Sequence, residues 1–307
     1  MADKLTTLGQ AVAELIRDGD SVVLGACLEP DVPFAAAHEI IRQGKRDLDV
    51  IAPISDASTD MLIGAGCVGR VTGGWVGNVS GGMGHNYRRA FEARQPRPVA
   101  IRDHSNLSLG MALMAGAYGL PYVPIRSLLG SDIVTSNPDL RLATNPFADG
   151  AEPVVLVPPI TPAVAVLPMQ RADRNGNAHH WGSAGLIQEA ALAAERVIVL
   201  ADEIVAPEVI ASDPNRVLFP GFRVAAVVHE PAAQHPSPMT GRWRRDTAFF
   251  GDYHRRSRHR DGFLDWIEEW VLGLPDHAAY RAKLGPRLRA LRITGSAPAA
   301  PANFAAN

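Results

Sequence analysis

"SVVLGACLEPDVPFAAAHEIIRQGKRDLDVIAP", residues 21–53, begins and ends with a short run of apolar residues. The two runs have the length and composition of buried strands, and residues 32–44 between them have the pattern of a helix with Pro33 near its first turn. A strand, a helix and a second strand in this order predict a βαβ unit. Continuous apolar strands favour a mainly parallel sheet that is covered by helices on both faces.

The same alternation of strands and helices extends along most of the chain. Further apolar strands are predicted at residues 70–76, 99–104, 154–159, 163–173, 197–204 and 223–231. Residues 127–153, rich in Asn, Pro, Asp and Gly, interrupt the pattern as a long excursion, and surface helices follow Pro236. We therefore predict one domain of the α/β class over residues 1–290, with two closely packed halves as the alternative. The prediction includes an open, mainly parallel sheet, helices on both faces and a helical C-terminal extension. A disordered Ala/Pro-rich tail is predicted at residues 291–307.

Composition and charge restrict the partners. The 307 residues include 30 basic and 32 acidic side chains, which gives a formal charge of −2. The chain therefore lacks a global attraction for nucleic acid or an anionic membrane, and the basic run at 242–260 is interpreted as a solvated or subunit-facing surface. The first residues predict a helix capped by Thr7 rather than a signal peptide, and no segment reaches the roughly 20 apolar residues of a membrane helix. We expect a soluble, cytoplasmic protein with no nucleic-acid or membrane partner.

Cysteine and histidine spacing does not predict a metal site. Cys27 and Cys67 lie among small residues without a CxxC spacing, which favours buried thiols in a reducing compartment over a disulfide or a metal site. Histidines occur in "NAHHWG" (177–182) and "YHRRSRHR" (253–260), but neither segment has the HExxH or paired Cys/His pattern of zinc sites. The sequence therefore predicts no bound metal.

The stretch "WVGNVSGGMGHNYRRAFE", residues 75–92, is rich in glycine and then becomes a basic amphipathic helix. Ligands of α/β sheets bind at the carboxyl ends of strands, and the N–H groups at a helix N-terminus favour an anion. A carboxylate, thioester oxygen or phosphate is the expected guest, while the alternative is that the glycines serve only tight turns and close packing. The candidate substrate-binding residues here are Asn78, Ser80, Gly81, Gly82, His85, Asn86 and Arg88.

Two other loops at strand ends carry candidate catalytic groups. The backbone N–H groups of Gly25 and Ala26 are candidates for an oxyanion hole, because small residues let a carbonyl approach closely. In "IRDHSNLSLG", Asp103 is an acid/base candidate, and Ser105 is interpreted as a helix N-cap with a nucleophile as the alternative. Consecutive side chains of a strand point to opposite faces, so Asp103, His104 and Ser105 are not expected to form a hydrolytic relay.

These segments resemble the α subunit of the family I CoA-transferases, specifically the glutaconate CoA-transferase group. The matching stretches are "GNVSGGMGHNYRRAFE", "DHSNLSLGMALMAGAYGLPYVPIRSLLGSDI", "MQRADRNGNAHHWG" and "HPSPMTG". The resemblance covers most of residues 5–285 and implies a NagB-like open α/β fold in an αβ pair, often assembled as α₂β₂. It also implies transfer of CoA between an acyl-CoA and a carboxylic acid, with coenzyme A as substrate and no permanently bound cofactor.

The resemblance assigns the covalent chemistry to the partner subunit. In that family the acyl-CoA is attacked by a glutamate of the β subunit, and covalent catalysis divides one hard exchange into easier steps. The glutamates of this chain lack the glycine-flanked setting of such a nucleophile, so the chain resembles half an enzyme. The loop at 77–84 and His85 are then expected to line the cleft facing the β subunit, where Asn78 and Ser80 hold the carboxylate or acyl part of the substrate.

Further site residues follow from the resemblance. Ser105 and Arg126 lie in the second matching stretch and complete the substrate-binding set, while Gly25 and Ala26 match the oxyanion segment with "GAC" in place of Gly-Gly-Phe. A related branch opens a ring of a CoA thioester by hydrolysis in steroid catabolism, using an acid that its α subunit contributes, and Asp103 is the position matched to that acid. The remaining alternative is a non-catalytic acyl-CoA-binding relative.

Overall fold

The computed structural model describes residues 3–78 and 81–294. Its strands are β1 (Leu5–Thr6), β2 (Ser21–Leu24), β3 (Leu48–Ser55), β4 (Val68–Asn78), β5 (Gly82–Met83), β6 (Ala100–Asp103), β7 (Val123–Ile125), β8 (Arg141–Thr144), β9 (Pro153–Val157), β10 (Val164–Met169), β11 (Arg171–Ala172), β12 (Ala178–His179), β13 (Arg196–Ala201) and β14 (Val224–His229). Its helices are α1 (Leu8–Leu15), α2 (Phe34–Arg42), α3 (Ala57–Gly64), α4 (His85–Glu92), α5 (Asn106–Tyr118), α6 (Ile133–Ser136), α7 (Ile187–Ala193), α8 (Pro207–Ala211), α9 (Thr247–Ser257), α10 (Arg260–Ile267), α11 (His277–Leu284) and α12 (Pro286–Leu291).

The main sheet is parallel and open, as expected from the sequence. Its strand order is β1-β14-β13-β10-β2-β3-β4, with β6 beside β4 and with β5 pairing antiparallel to the end of β4. From β2 the chain adds β3 and β4 in one direction across the sheet. From β10, the neighbour of β2, it adds β13 and β14 in the opposite direction. The sheet therefore has a topological switch point between β2 and β10, the place where such folds bind ligands.

Helices cover both faces of the sheet, and this part of the prediction is also confirmed. One face carries α2, α3 and the C-terminal helices, with Phe34, Trp266 and Tyr280 fully buried in one cluster. The other face carries α5 and α7, with Leu109 and Ile187 buried in a second cluster. Burial of each such large side chain contributes roughly 2–3 kcal/mol relative to leaving it exposed, so the C-terminal helices are an integral part of the core.

The excursion predicted at residues 127–153 belongs to a separate small sheet. The apolar run predicted as a strand at 154–159 does form β9, but β9 is the central strand of an antiparallel sheet with β7 and β8. Val155 and Val157 pack in a third buried cluster with Ile125. An apolar run indicates burial but not the partner strand, which explains why the sequence pattern did not separate this sheet from the main one.

Hydrogen bonds hold the residues near both limits of the described part of the chain. Thr7 caps α1 with a capping box, as the sequence predicts. Leu291 closes α12, and the Ile293 amide donates to the Arg242 carbonyl at 2.9 Å, so the first residues of the predicted tail are ordered. The tail from residue 295 lies outside the described residues, and the single-domain assignment stays a prediction. Within residues 3–78 and 81–294, no helix has the length and apolar character needed to cross a membrane.

Candidate active site

The glycine-rich loop leaves the carboxyl end of β4 and returns on itself. Asn78 is buried at the end of β4, and its side-chain oxygen accepts a hydrogen bond from the Gly81 amide at 2.8 Å. Gly82 has a φ of +94°, and a Cβ at Gly77 would lie 2.5 Å from the Gly82 carbonyl oxygen. The glycines therefore serve a tight return in which the Gly81 amide is held by Asn78, while Gly81 and Gly82 remain exposed. Ser80 lies outside the described residues.

Asp56 is the buried acid beneath this loop. It follows β3 and caps α3 by accepting from the Ala57 amide at 2.6 Å, and the same oxygen accepts from the Asn78 side-chain amide at 3.0 Å. Its other oxygen, Oδ2, is buried without a hydrogen-bond partner among the described residues. Burial raises the pKa of Asp56 to about 6, against the lowering effects of its hydrogen bonds and of Arg245. A carboxyl group with this pKa changes charge close to neutral pH.

Arg245 is the positively charged residue beside Asp56. Its Nη1 lies 3.8 Å from Oδ2 of Asp56 and 3.8 Å from Oε1 of Glu29, both longer than hydrogen bonds. All three guanidinium nitrogens are buried without a hydrogen-bond partner among the described residues, and the group lies 4.2 Å from the centre of the Phe250 ring. Buried guanidinium nitrogens are normally hydrogen-bonded, so Arg245 has donor capacity left for an anion.

The start of α4 divides into a buried and an exposed part. Asn86 is fully buried, and its amide group bonds with Asp60, Tyr253 and Arg89, so it supports the loop from below and has no atom free for a substrate. This placement argues against substrate contact by Asn86. His85 is half-buried, and its ring centre lies 4.3 Å from that of His254, with the two planes tilted by 36°. Burial, followed by the charge of His254, lowers the pKa of His85. Arg88 is exposed and pairs with Glu92 on its own helix.

The loop after β2 is clamped by the segment that precedes α7. Gly25 has a φ of +91°, the Ala26 carbonyl accepts from the Leu186 amide at 2.8 Å, and the Cys27 thiol donates to the Ser183 carbonyl at 2.6 Å. A Cβ at Gly185 would lie 2.5 Å from the Ala26 oxygen, so glycine permits this contact. The oxyanion role of Gly25 and Ala26 stays a prediction.

Asp103 lies at a different place along the sheet. It pairs in register with Gly73, which precedes Asn78 by roughly 16 Å of strand at about 3.3 Å per residue. Its carboxylate accepts from Ser136 Oγ at 3.2 Å. Ser105 is the N-cap of α5 in a capping box, as interpreted from the sequence, and His104 bonds with Ser108 at 3.0 Å rather than with Ser105. The structure therefore brings no hydrolytic relay together here, and it pairs Asp103 with Gly73 of β4 rather than with Asn78.

Arg126 is part of the small sheet region. Its side chain is 67% exposed and pairs with Glu152. It lines a cavity of about 510 Å³ together with Tyr122 and Phe147, which belong to the β7-β9-β8 region. Arg126 thus belongs to the small-sheet region, whereas Asn78 ends a strand of the main sheet.

Comparisons with known proteins identify the family. The profile of the coenzyme A transferase family matches residues 5–230. The chain is 39% identical to the A-type subunit of 3-oxoadipate CoA-transferase from Pseudomonas knackmussii, with 92% of this chain and 98% of that protein covered. The chain belongs to the coenzyme A transferase family. These findings confirm the resemblance drawn from the sequence and the enzyme class that it implied, one subunit of a CoA-transferase.

Two further relatives of this CoA-transferase family member bear on its fold and chemistry. The crystal structure of glutaconate coenzyme A-transferase from Acidaminococcus fermentans superposes with a TM-score of 0.90 at 32% identity, covering 96% of this chain and 97% of that one. The cholesterol ring-cleaving hydrolase IpdA subunit of Mycobacterium tuberculosis is 28% identical, with 89% of this chain and 94% of that protein covered. The relatives of this chain thus include subunits of transferases and of a hydrolase.

Sequence reasoning did not identify two central groups of the site. Asp56 follows an apolar strand directly, and the same signal that selected Asn78 and Asp103 was available for it. Arg245 lies in a basic run that was interpreted as surface, and it reaches Asp56 only through the packing of the segment before α9. Such a long-range contact leaves no local pattern in the sequence.

Proposed function

We propose that this CoA-transferase family member is the α subunit of a heteromeric enzyme that moves CoA between an acyl-CoA and a carboxylic acid. The catalytic glutamate is then supplied by a β subunit, in an αβ or α₂β₂ assembly. The observation that carries the proposal is the near full-length match to one named subunit of 3-oxoadipate CoA-transferase, a name that implies a second subunit. The guanidinium of Arg245, which has no hydrogen-bond partner among the described residues and lies beside Asp56, supplies the positive charge that an acid substrate needs.

In this proposal, the groups around the glycine loop recognise the acid. The guanidinium of Arg245 provides charge-assisted hydrogen bonds to a substrate carboxylate, which displaces Glu29 from its contact at 3.8 Å. The exposed backbone of Gly81 and Gly82 contacts the acyl part, and Asn78 fixes that backbone. These contacts thereby orient the acid toward the nucleophile of the partner.

Two surfaces support a partner subunit. Met83 and Phe91, beside the glycine loop, are 49% and 66% exposed. Leu142 and Phe147 on the small sheet are 64% and 96% exposed. Clusters of exposed large apolar side chains are typical of interaction surfaces. We also propose a cytoplasmic location, with coenzyme A as a substrate and no permanently bound cofactor.

The second candidate function is ring-opening hydrolysis of a cyclic CoA thioester in steroid catabolism. It is favoured by the relationship to the cholesterol ring-cleaving hydrolase subunit. In that case an acid of this chain has to reach the substrate, and Asp103 is the residue proposed for that role. Its distance along the sheet from the glycine loop makes this candidate the weaker one.

The proposal is tested by reconstitution. The chain alone should give no CoA transfer, and activity should appear on addition of a β subunit of similar size. A CoA adduct trapped on a glutamate of the isolated chain would refute the assignment of the catalytic glutamate to the β subunit. Ring opening of a cyclic CoA thioester by the complex, without transfer to any acceptor acid, would establish the second candidate instead.

A further inference from the structure

Three side chains of ligand type meet in the interior at the topological switch point. Cys27 and Asp31 lie in the loop after β2, and His180 follows β12, which is reached from the end of β10. One ligand atom from each residue lies within 4.8 Å of the other two, and all three residues are buried. The segments that follow the two strands of the switch point therefore converge on one buried cluster of sulfur, nitrogen and oxygen.

The backbone of the loop is bent so that Cys27 and Asp31 reach the same cluster. Leu28 and Asp31 have φ values of 59° and 56°, in the left-handed region that non-glycine residues rarely adopt. The Asp31 amide donates to the Pro238 carbonyl at 3.0 Å, which holds the end of the loop. Strained backbone of this kind persists where surrounding interactions determine it, and it concentrates at ligand sites.

The hydrogen bonds of the cluster leave ligand capacity unused. Oδ2 of Asp31 lies 3.2 Å from Nε2 of His180, but Oδ1 is buried without a hydrogen-bond partner among the described residues. The side chains of Asp31 and His180 are each only 2% exposed. A buried carboxylate oxygen without a partner is costly, and native proteins commonly compensate it with a bound ion or water.

We propose that Cys27, Asp31 and His180 bind a Zn²⁺ ion. A thiolate, an imidazole and a carboxylate are the donor set that zinc prefers, whereas calcium and magnesium select oxygen alone. Donor atoms of a tetrahedral zinc site lie roughly 3.3 to 3.7 Å apart, so the pair Asp31–His180 is already close enough and Cys27 moves inward by up to about 1 Å. The fourth position falls to a water, because the Ser183 carbonyl lies 2.6 Å from the Cys27 sulfur, closer than two donors of one tetrahedral site.

A catalytic Cys-His-Asp relay does not fit the same contacts. The Cys27 thiol donates to the Ser183 carbonyl rather than to His180, whereas a nucleophilic cysteine has its base within hydrogen-bond reach. The zinc ion instead ties the loop after β2 to the segment before α7 and thereby fixes Gly25 and Ala26.

The test is metal binding by the full chain together with its partner subunit. After chelation and dialysis, the wild-type protein should take up one equivalent of Zn²⁺ by plasma mass spectrometry, and Co²⁺ in its place should give a thiolate-to-cobalt absorption band. Cys27→Ser should abolish the band, and Asp31→Asn or His180→Gln should weaken binding by at least about 100-fold, since even outer-shell changes cost 10 to 100-fold. The matched controls Cys67→Ser and His179→Gln alter a second buried cysteine and the neighbouring histidine, and they should bind like the wild type.

Two results would overturn the zinc site. The first is a wild-type protein with native circular dichroism that shows no thiolate-to-cobalt band, a result that does not depend on how any variant folds. The second is equal stoichiometry and affinity in Cys27→Ser and Cys67→Ser, which would indicate adventitious metal. Neither readout measures CoA transfer, so the zinc site and the proposed function succeed or fail separately.

Discussion

Asp56 and Asp103 occupy corresponding ends of β3 and β6, the two strands that flank β4, yet their surroundings differ. Asp56 is fully buried, with one oxygen unpaired and Arg245 3.8 Å away. Asp103 is partly exposed, and its carboxylate bonds with Ser136. The two aspartates differ in their register against β4. Ser55, the residue before Asp56, pairs with Val76 near the end of β4, whereas Asp103 pairs with Gly73.

This difference indicates where a ligand is expected to bind. A buried cation without hydrogen-bond partners, such as Arg245 beside Asp56, interacts strongly with an incoming anion. A partly exposed carboxylate such as Asp103 is already hydrogen-bonded and solvated. The same residue type at the end of a neighbouring strand is therefore a weak signal by itself. Burial and unsatisfied hydrogen-bonding capacity decide which of the two aspartates belongs to the candidate site.

The largest effect is expected for Asn78→Ala. This change removes the bonds that join Asp56 to the Gly81 amide across the loop, so kcat/KM of the αβ complex should fall by roughly 100 to 1000-fold with folding intact. Asn177→Ala is the control, because Asn177 also accepts from a loop amide, that of Gly221, but lies in the turn between β11 and β12. Wild-type kinetics in the Asn78 variant would indicate that the glycine loop serves only turns and packing.

Asp56→Asn should produce a pH-dependent change in stability. The pKa of Asp56 is raised to about 6 in the folded protein, so the stabilisation linked to this proton is complete below about pH 4 and lost as the pH rises through 6. The ionised buried carboxylate then costs up to about 3 kcal/mol. Urea unfolding should show the asparagine variant more stable than the wild type at pH 8 and unchanged at pH 4. A difference of equal size at both pH values would contradict the buried charge.

Arg245→Met should weaken acid binding by roughly 10 to 100-fold, chiefly in KM, since a hydrogen bond to a charged group contributes about 1.5 to 3 kcal/mol. The long apolar methionine keeps the packing against Phe250. Arg244→Met, at the exposed neighbouring position, is the control and should leave the kinetics unchanged. An unaltered KM for the acid in the Arg245 variant would remove this guanidinium from the proposed site.

The local features of the fold could be predicted, and the long-range ones could not. The caps at Thr7 and Ser105 depend on residues three positions apart, and the βαβ unit at 21–53 depends on neighbouring apolar runs. These signals lie within one window of sequence. The placement of β9 in a second sheet depends on which distant strands it pairs with, and an apolar run carries no such information.

The candidate site follows the same division. Asn78, Gly81 and Gly82 were found from the composition of one loop. The contact of Arg245 with Asp56 joins the segment before α9 to the end of β3, and the cluster of Cys27 with His180 joins the two halves of the sheet. Proximity of this kind is created by folding, so sequence reasoning could rank these residues only by type.

The smallest effect is expected for Asp103→Asn, which separates the two candidate functions. The asparagine keeps the shape of the side chain and removes its ionisable group. A transferase takes its nucleophile from the partner, so its kcat/KM should change by less than about tenfold. A ring-opening hydrolase needs a base from this chain, and the loss there should be roughly 100 to 10000-fold. The complex is assayed with an acyl-CoA plus acceptor acid, and separately with a cyclic β-keto CoA thioester. Because Asp103 is partly exposed, bonded to Ser136 and paired in register with Gly73 rather than with Asn78, we expect the small effect; a large loss in the faster of the two reactions would place Asp103 in the chemistry after all.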